Sequence, residues 1–176
     1  MSLPEHIVLV PSAAFGDGRH PTTRMCLQAV RSFSPAVPFR MLDVGSGTGV
    51  LAILGAKLGA SVAVGVEIDV EANRAATTNA VRNAVSDRAT FGTAWPDGPF
   101  DLVVANILRD PLLHLRGQMV ARLARGGTLV LSGLTSTDVA FLVAAYAPLL
   151  GDARPDIFAS EEWRTLVWRR ATVPSA

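Results

Sequence analysis

The stretch LDVGSGTGVLAI, residues 42–53, decides the fold. An apolar run ends in an acid, Asp43. Gly45, Gly47 and Gly49 follow at every second position, and an apolar-periodic segment resumes at Val50. This is a strand feeding a helix through a turn of nearly bare backbone. Glycines let the main chain approach a ligand without Cβ clashes, and the free N–H groups at the start of the following helix can receive an anionic group.

Outward from this turn the chain alternates. Strand 40–44 leads to helix 48–59, strand 62–67 to helix 71–83, and a short strand near 88–92 to a turn at Trp95–Gly98. Strand 101–105 leads to helix 110–124. Gly126 and Gly127 turn into strand 128–132, then helix 136–149, and two strands near 153–159 and 163–170 finish the sequence. Upstream, residues 7–10 (IVLV) are an apolar run, 11–20 a Gly-rich loop, and Pro21-Thr22-Thr23 starts a helix that Pro35 and Pro38 stop. Continuous apolar strands separated by helices imply a parallel sheet covered on both faces. The tight turn Ser160-Glu161-Glu162 forces the last two strands to be antiparallel. The expected fold is α/β: a doubly wound, Rossmann-like, seven-stranded, mostly parallel sheet with an antiparallel C-terminal hairpin. Residues 1–176 read as a single domain, with 1–20 an N-terminal segment and covering loop, 21–34 a leading helix and 40–170 the sheet core.

Composition narrows the function classes. The 176 residues are 49% hydrophobic and 18% charged, which suits one well-buried core and excludes a disordered chain. A net charge of +1 gives no global basic field for direct nucleic-acid binding. Cys26 is the only cysteine, so an internal disulfide and a Cys-rich metal site are excluded and no metal is expected; a reducing, cytoplasmic setting fits. No apolar run reaches the ~20 residues of a membrane span, and no signal peptide or internal repeat is visible.

The glycine spacing is G-x-G-x-G. It is neither the dinucleotide G-x-G-x-x-G nor a P-loop, since no Gly-Lys-Ser/Thr follows; an oxidoreductase using NAD is disfavoured. Open α/β sheets bind ligands beyond the carboxyl ends of their strands, where this loop sits. Asp43 would tie the loop or serve the ligand. Glu67, closing the second strand, can accept hydrogen bonds from both hydroxyls of a ribose; Asp69 is a rival, better read as a helix cap. D-x-G-x-G-x-G with an acid closing the next strand resembles the class I S-adenosylmethionine-dependent methyltransferases.

Two more stretches sharpen the resemblance: AAFGDGRHPTTRMCL (13–27) and DLVVANILRDPL (101–112). With 42–60 and GVEID (65–69) they resemble the PrmA family, whose members methylate amino groups of a large-subunit ribosomal protein. The F-G-x-G-x-H-P-T-T element is the most specific. The resemblance implies S-adenosyl-L-methionine as cofactor and a protein acceptor. It places Thr23, Gly45, Glu67 and Asn106 at the cofactor, with Asn106 facing methyl transfer. Independently, an Asn after the fourth strand suits an amino-group methyltransferase, because its oxygen can accept the amine's hydrogens and aim the lone pair. Phe15 and His20 are expected on the loop near the pocket, and Thr93 at the adenine edge. Asp17 stands where the family usually has Thr, residues 10–14 (VPSAA) lack its Asp-Pro-Gly, and Asn106-Ile107-Leu108 lacks a Pro-Pro-aromatic run. The sequence begins almost at the first motif, so the family's N-terminal recognition domain is expected to be absent. Two alternatives follow from these departures: a stand-alone methyltransferase of a small amine or non-ribosomal protein, and a non-catalytic cofactor-binding module. The sequence does not fix the oligomeric state.

Overall fold

The computed structural model describes residues 7–12, 14–33, 38–151 and 153–172. Pro35 lies outside them. In chain order the elements are α1 (Pro21–Ser32), β1 (Phe39–Val44), α2 (Val50–Lys57), β2 (Ala60–Val66), α3 (Val70–Arg82) and β3 (Ala89–Gly92). Then come β4 (Phe100–Asn106), α4 (Arg109–Arg122), β5 (Leu123–Thr135), α5 (Val139–Tyr146), a 3-10 turn (Ala147–Leu149), β6 (Asp156–Ser160) and β7 (Trp163–Arg169). The seven strands form one sheet in the order β3-β2-β1-β4-β5-β7-β6. β1 to β5 are mutually parallel, and β7 runs antiparallel to both β5 and β6. This is the expected doubly wound sheet with its antiparallel hairpin.

The strand pleat sorts the core. Phe39 and Met41 of β1 pack with Cys26, Leu27 and Val30 of α1 and the apolar face of α2. Leu42 and Val44 point the other way, into a cluster with Leu112 and Met119 of α4 and Leu142 and Tyr146 of α5. Tyr146 stacks on Trp168 at 5.6 Å and donates its hydroxyl to the Leu112 carbonyl at 2.7 Å. α1, α2 and α3 thus cover one face, and α4 and α5 the other.

Three expectations are corrected. Helix 110–124 ends at Arg122, and the next strand begins before the Gly pair rather than after it. Leu123 already pairs with Phe100; residues 124–127 then loop out, and pairing resumes at Leu102 with Thr128. Helix 136–149 contracts to α5 and the 3-10 turn, because Thr135 to Asp138 form a capping turn in which Asp138 accepts from the Thr135 N–H at 2.8 Å. Helix 48–59 begins at Val50, since Thr48 and Gly49 belong to the glycine loop. Among the described residues no helix is long and apolar enough to cross a membrane.

Candidate functional site

Among the described residues, two cavities of similar size bear on the site, about 480 Å³ and about 430 Å³. The smaller lies beneath α1, between Met25, Phe33, Asp101 and Arg169, and holds none of the residues that the sequence singles out. The larger lies beyond the carboxyl ends of the parallel strands and gathers six of them: Phe15, His20, Gly45, Gly47, Glu67 and Asn106. Its volume suits a small-molecule ligand.

One wall is the glycine loop. Gly47 sits at φ +51°, and a Cβ there would lie 2.3 Å from the Phe15 carbonyl oxygen. All five amides from Gly45 to Gly49 are already engaged within the protein: Gly45 and Ser46 with the Val66 carbonyl, Gly47 with Glu67, Thr48 with Phe15, and Gly49 with Ser46. The loop therefore offers bare, closely approachable backbone rather than a set of free donors. The start of α2 does not face the cleft either. Val50, Leu51 and Ala52 are buried, and the Asp43 carboxylate lies on that side.

Asp43 is thus corrected from a ligand contact to a buried group below the loop. It does not line the cleft, and neither carboxylate oxygen has a hydrogen-bond partner among the described residues. Burial pushes its carboxyl up to about 7. The Ala52 N–H opposes that rise without reaching hydrogen-bond geometry, and the Glu67 charge adds to it. Gly49 caps α2 against the Phe91 ring, and Thr93 is exposed beyond β3; neither lines the cleft. Asp17 turns outward to Arg19 at 3.6 Å and accepts from the Arg19 N–H, away from the cleft.

At the β2 end, Glu67 accepts from the Gly47 N–H with Oε2 and the Asp69 N–H with Oε1, each at 3.1 Å. A carboxylate oxygen carries two lone pairs, so both remain able to accept from a diol. Asp69 caps α3 by accepting from the Glu71 N–H at 2.8 Å, as its position suggests, while also lining the cleft.

At the β4 end, Asn106 Nδ2 donates to Thr23 Oγ1 at 3.3 Å, and Oδ1 is buried without a partner among the described residues. Thr23 stands one hydrogen bond behind the cleft rather than in its lining. Ile107 takes the place of a proline pair in fixing this turn. It nests between two glycines, where a Cβ on Gly45 would meet its Cγ2 at 2.3 Å and one on Gly133 its carbonyl oxygen at 2.5 Å.

The roof is aromatic. His20 is the N-cap of α1: its Nδ1 lies 2.7 Å from Thr22 Oγ1 and accepts from the Thr22 N–H at 3.4 Å. Its ring sits edge-on to Phe15 at 5.2 Å and to Trp163 at 4.9 Å. Sequence reasoning overlooked Trp163. The signal was available: β7 is antiparallel, so its first residue returns to the carboxyl end of the sheet, where Trp163 pairs with Thr135.

This sheet order, with its cleft over a glycine turn and an acid at the next strand end, defines a class I methyltransferase fold. The solved ribosomal protein L11 methylase of Lactobacillus delbrueckii subsp. bulgaricus superposes with a TM-score of 0.83 at 32% identity, over 94% of this chain and 85% of that one. The sequence profile of the ribosomal protein L11 methyltransferase (PrmA) family matches residues 4–171, and the chain belongs to that family. It is 41% identical over 164 residues to the ribosomal protein L11 methyltransferase of Geobacter sulfurreducens, covering 93% of this chain and 54% of the relative. With that of Bordetella parapertussis it shares 46% identity over 145 residues, 82% of this chain and 47% of the relative. The chain therefore spans about half the length of these relatives.

Proposed function

We propose that this chain is the catalytic domain of an S-adenosylmethionine-dependent N-methyltransferase whose acceptor is an amino group of a ribosomal protein, acting in the reducing cytoplasm. The observation that carries the reading is the Asn106 Oδ1, without a partner among the described residues, at one end of the cleft whose other end is the Glu67 carboxylate. A buried carbonyl oxygen without a partner costs on the order of 1–3 kcal/mol, and an incoming amine N–H removes that cost.

The cleft fits the cofactor. Gly45 and Gly47 line it with bare main chain, and Glu67 presents lone pairs to a diol. When bound, S-adenosylmethionine supplies a methyl group already activated by its sulfonium. What remains for the protein is alignment and exclusion of water. Asn106 Oδ1 accepts one hydrogen of a neutral amine and so directs its lone pair. Thr23 holds the carboxamide from behind, Ile107 locks the turn, and Phe15, His20 and Trp163 cover the cleft. The N–C bond would form as the C–S bond breaks, leaving its electron pair on sulfur, and the methylated amine would shed its extra proton to solvent; no side chain has to form a covalent bond.

The test is calorimetric titration with S-adenosylmethionine, with NAD as control, followed by methyl transfer to purified ribosomal protein L11. Micromolar binding of the former alone, with label appearing on protein amino groups, is the expected result. Binding without transfer to any amine would reduce the chain to a cofactor-binding module, and transfer only to small amines would replace the acceptor.

A further inference from the structure

The described residues before α1 form no helix or strand, yet Asn79 of α3 and the C-cap residue of that helix, Asn83, fix them. Asn83 Oδ1 accepts from the Val8 N–H at 3.0 Å, and its Nδ2 donates back to the Val8 carbonyl at 2.7 Å. One turn earlier, Asn79 Oδ1 accepts from the Val10 N–H at 2.7 Å. The spacing has a geometric cause. Four helical residues rise about 6 Å, and two extended residues span roughly 6.6 Å. Carboxamides one helical turn apart therefore meet alternate residues of an extended chain, as a neighbouring strand would.

The two asparagines differ in what else they hold. Asn79 is fully buried, and its Nδ2 donates to the Thr48 carbonyl at 2.9 Å. Thr48 lies in the glycine loop and reaches back to the same N-terminal segment. Its N–H donates to the Phe15 carbonyl at 3.0 Å and its hydroxyl to the Gly16 carbonyl at 2.7 Å. Asn79 thus closes a circuit from α3 through the glycine loop to Val10, Phe15 and Gly16. Among the described residues, the Asn83 side chain hydrogen-bonds to Val8 and to the Asn79 carbonyl, and to no residue of the glycine loop.

We propose that Asn79 is a positioning residue for the cofactor: it clamps the glycine loop and the N-terminal segment into one body, so that Gly45, Gly47 and Phe15 keep a fixed relation across the cleft. The proposal rests on the reading that this loop receives S-adenosylmethionine. Only a carboxamide of this length both accepts from Val10 and donates to Thr48. A carboxylate cannot donate, and an apolar side chain leaves both backbone groups unpaired. Asn83 is the built-in control, since it ties the same segment without reaching the loop.

The experiment compares Asn79→Ala and Asn83→Ala with wild type by S-adenosylhomocysteine titration, steady-state kinetics and amide hydrogen exchange of the unliganded proteins. Asn79→Ala should weaken S-adenosylhomocysteine by roughly tenfold or more. It should raise KM for S-adenosylmethionine with a much smaller change in kcat, and speed exchange at Val10 and Thr48. Asn83→Ala should speed exchange at Val8 while leaving affinity close to wild type. Equal loss of affinity in both variants, or wild-type affinity in Asn79→Ala, would overturn the proposal. Should wild type bind no S-adenosylhomocysteine, the cofactor reading falls, whereas the exchange at Thr48 still decides whether Asn79 clamps the loop. If Asn79→Ala does not fold, Thr48→Val cuts the same circuit at Gly16. It should weaken binding, and Thr48→Ser should restore it; a Thr48→Val protein that binds as wild type counts against the clamp.

Discussion

Asn106 holds Thr23 with its amide nitrogen, at 3.3 Å, and leaves its amide oxygen buried at the cleft with no partner among the described residues. A side chain held from behind and free in front is built to receive something. Replacing Asn106 with Ala should lower kcat on the order of 100-fold while S-adenosylhomocysteine affinity changes little. Thr23→Val removes only the hydrogen bond that orients the carboxamide and should cost about tenfold in kcat. Turnover at saturating acceptor and cofactor, with parallel thermal melts, checks both; unchanged turnover in Asn106→Ala would remove the residue from the reaction.

Gly47 tests the glycine cradle. Its Cβ would meet backbone, the Phe15 carbonyl oxygen at 2.3 Å, which cannot swing aside as a side chain end can. Its φ of +51° is also costly for an L side chain. Gly47→Ala should destabilise the fold by about 1–3 kcal/mol and weaken cofactor binding. Gly117, in the middle of α4 with open space around its Cα, is the counterpart. Gly117→Ala should stabilise the protein by about 0.5–1 kcal/mol, read from urea midpoints, with binding unchanged.

Cys26 provides a probe of the α1 face. It is fully buried between α1 and the sheet, and burial pushes its thiol up to about 12. A thiol held protonated and out of solvent does not attack disulfide reagents. Labelling by such a reagent near neutral pH should therefore be slow and follow the rate of opening, becoming immediate in denaturant. Rapid labelling of the native protein would show that α1 leaves the sheet readily.

The alternation of strands and helices, the switch in strand direction and the cleft were legible because they follow from local signals: apolar runs, glycine turns and a hairpin turn too short for a crossover; the order in which the strands lie side by side was not. Asn106, Glu67, Gly45 and Gly47 were found because each stands at a strand end or in the turn that must face the cleft. What escaped depends on contacts between distant parts of the chain. Asn79 and Asn83 read as ordinary helix residues until the segment at Val8 and Val10 lies against them. Asp43 read as a loop tie or a ligand contact, yet it is buried in the sheet below the loop. Leu123 looked helical because its pairing with Phe100 precedes a looped-out tetrapeptide that no local pattern announces.

Asp43 also sets an expected pH dependence. Its carboxyl ionises near 4 in an unfolded chain but is pushed up to about 7 in the folded protein. Between those values the folded state holds a proton that the unfolded state has released. Stability must therefore fall as pH rises from about 4 to about 7, and level off above, where both states are ionised. Asp43→Asn removes that linkage. The carboxamide is neutral at every pH and can still face the Ala52 N–H. The variant should melt close to wild type at pH 4 and several degrees higher at pH 8, with the difference growing through the window between. Melting curves across pH 4 to 8 decide it. A difference independent of pH would mean that Asp43 is ionised throughout, with an undetected partner offsetting its burial.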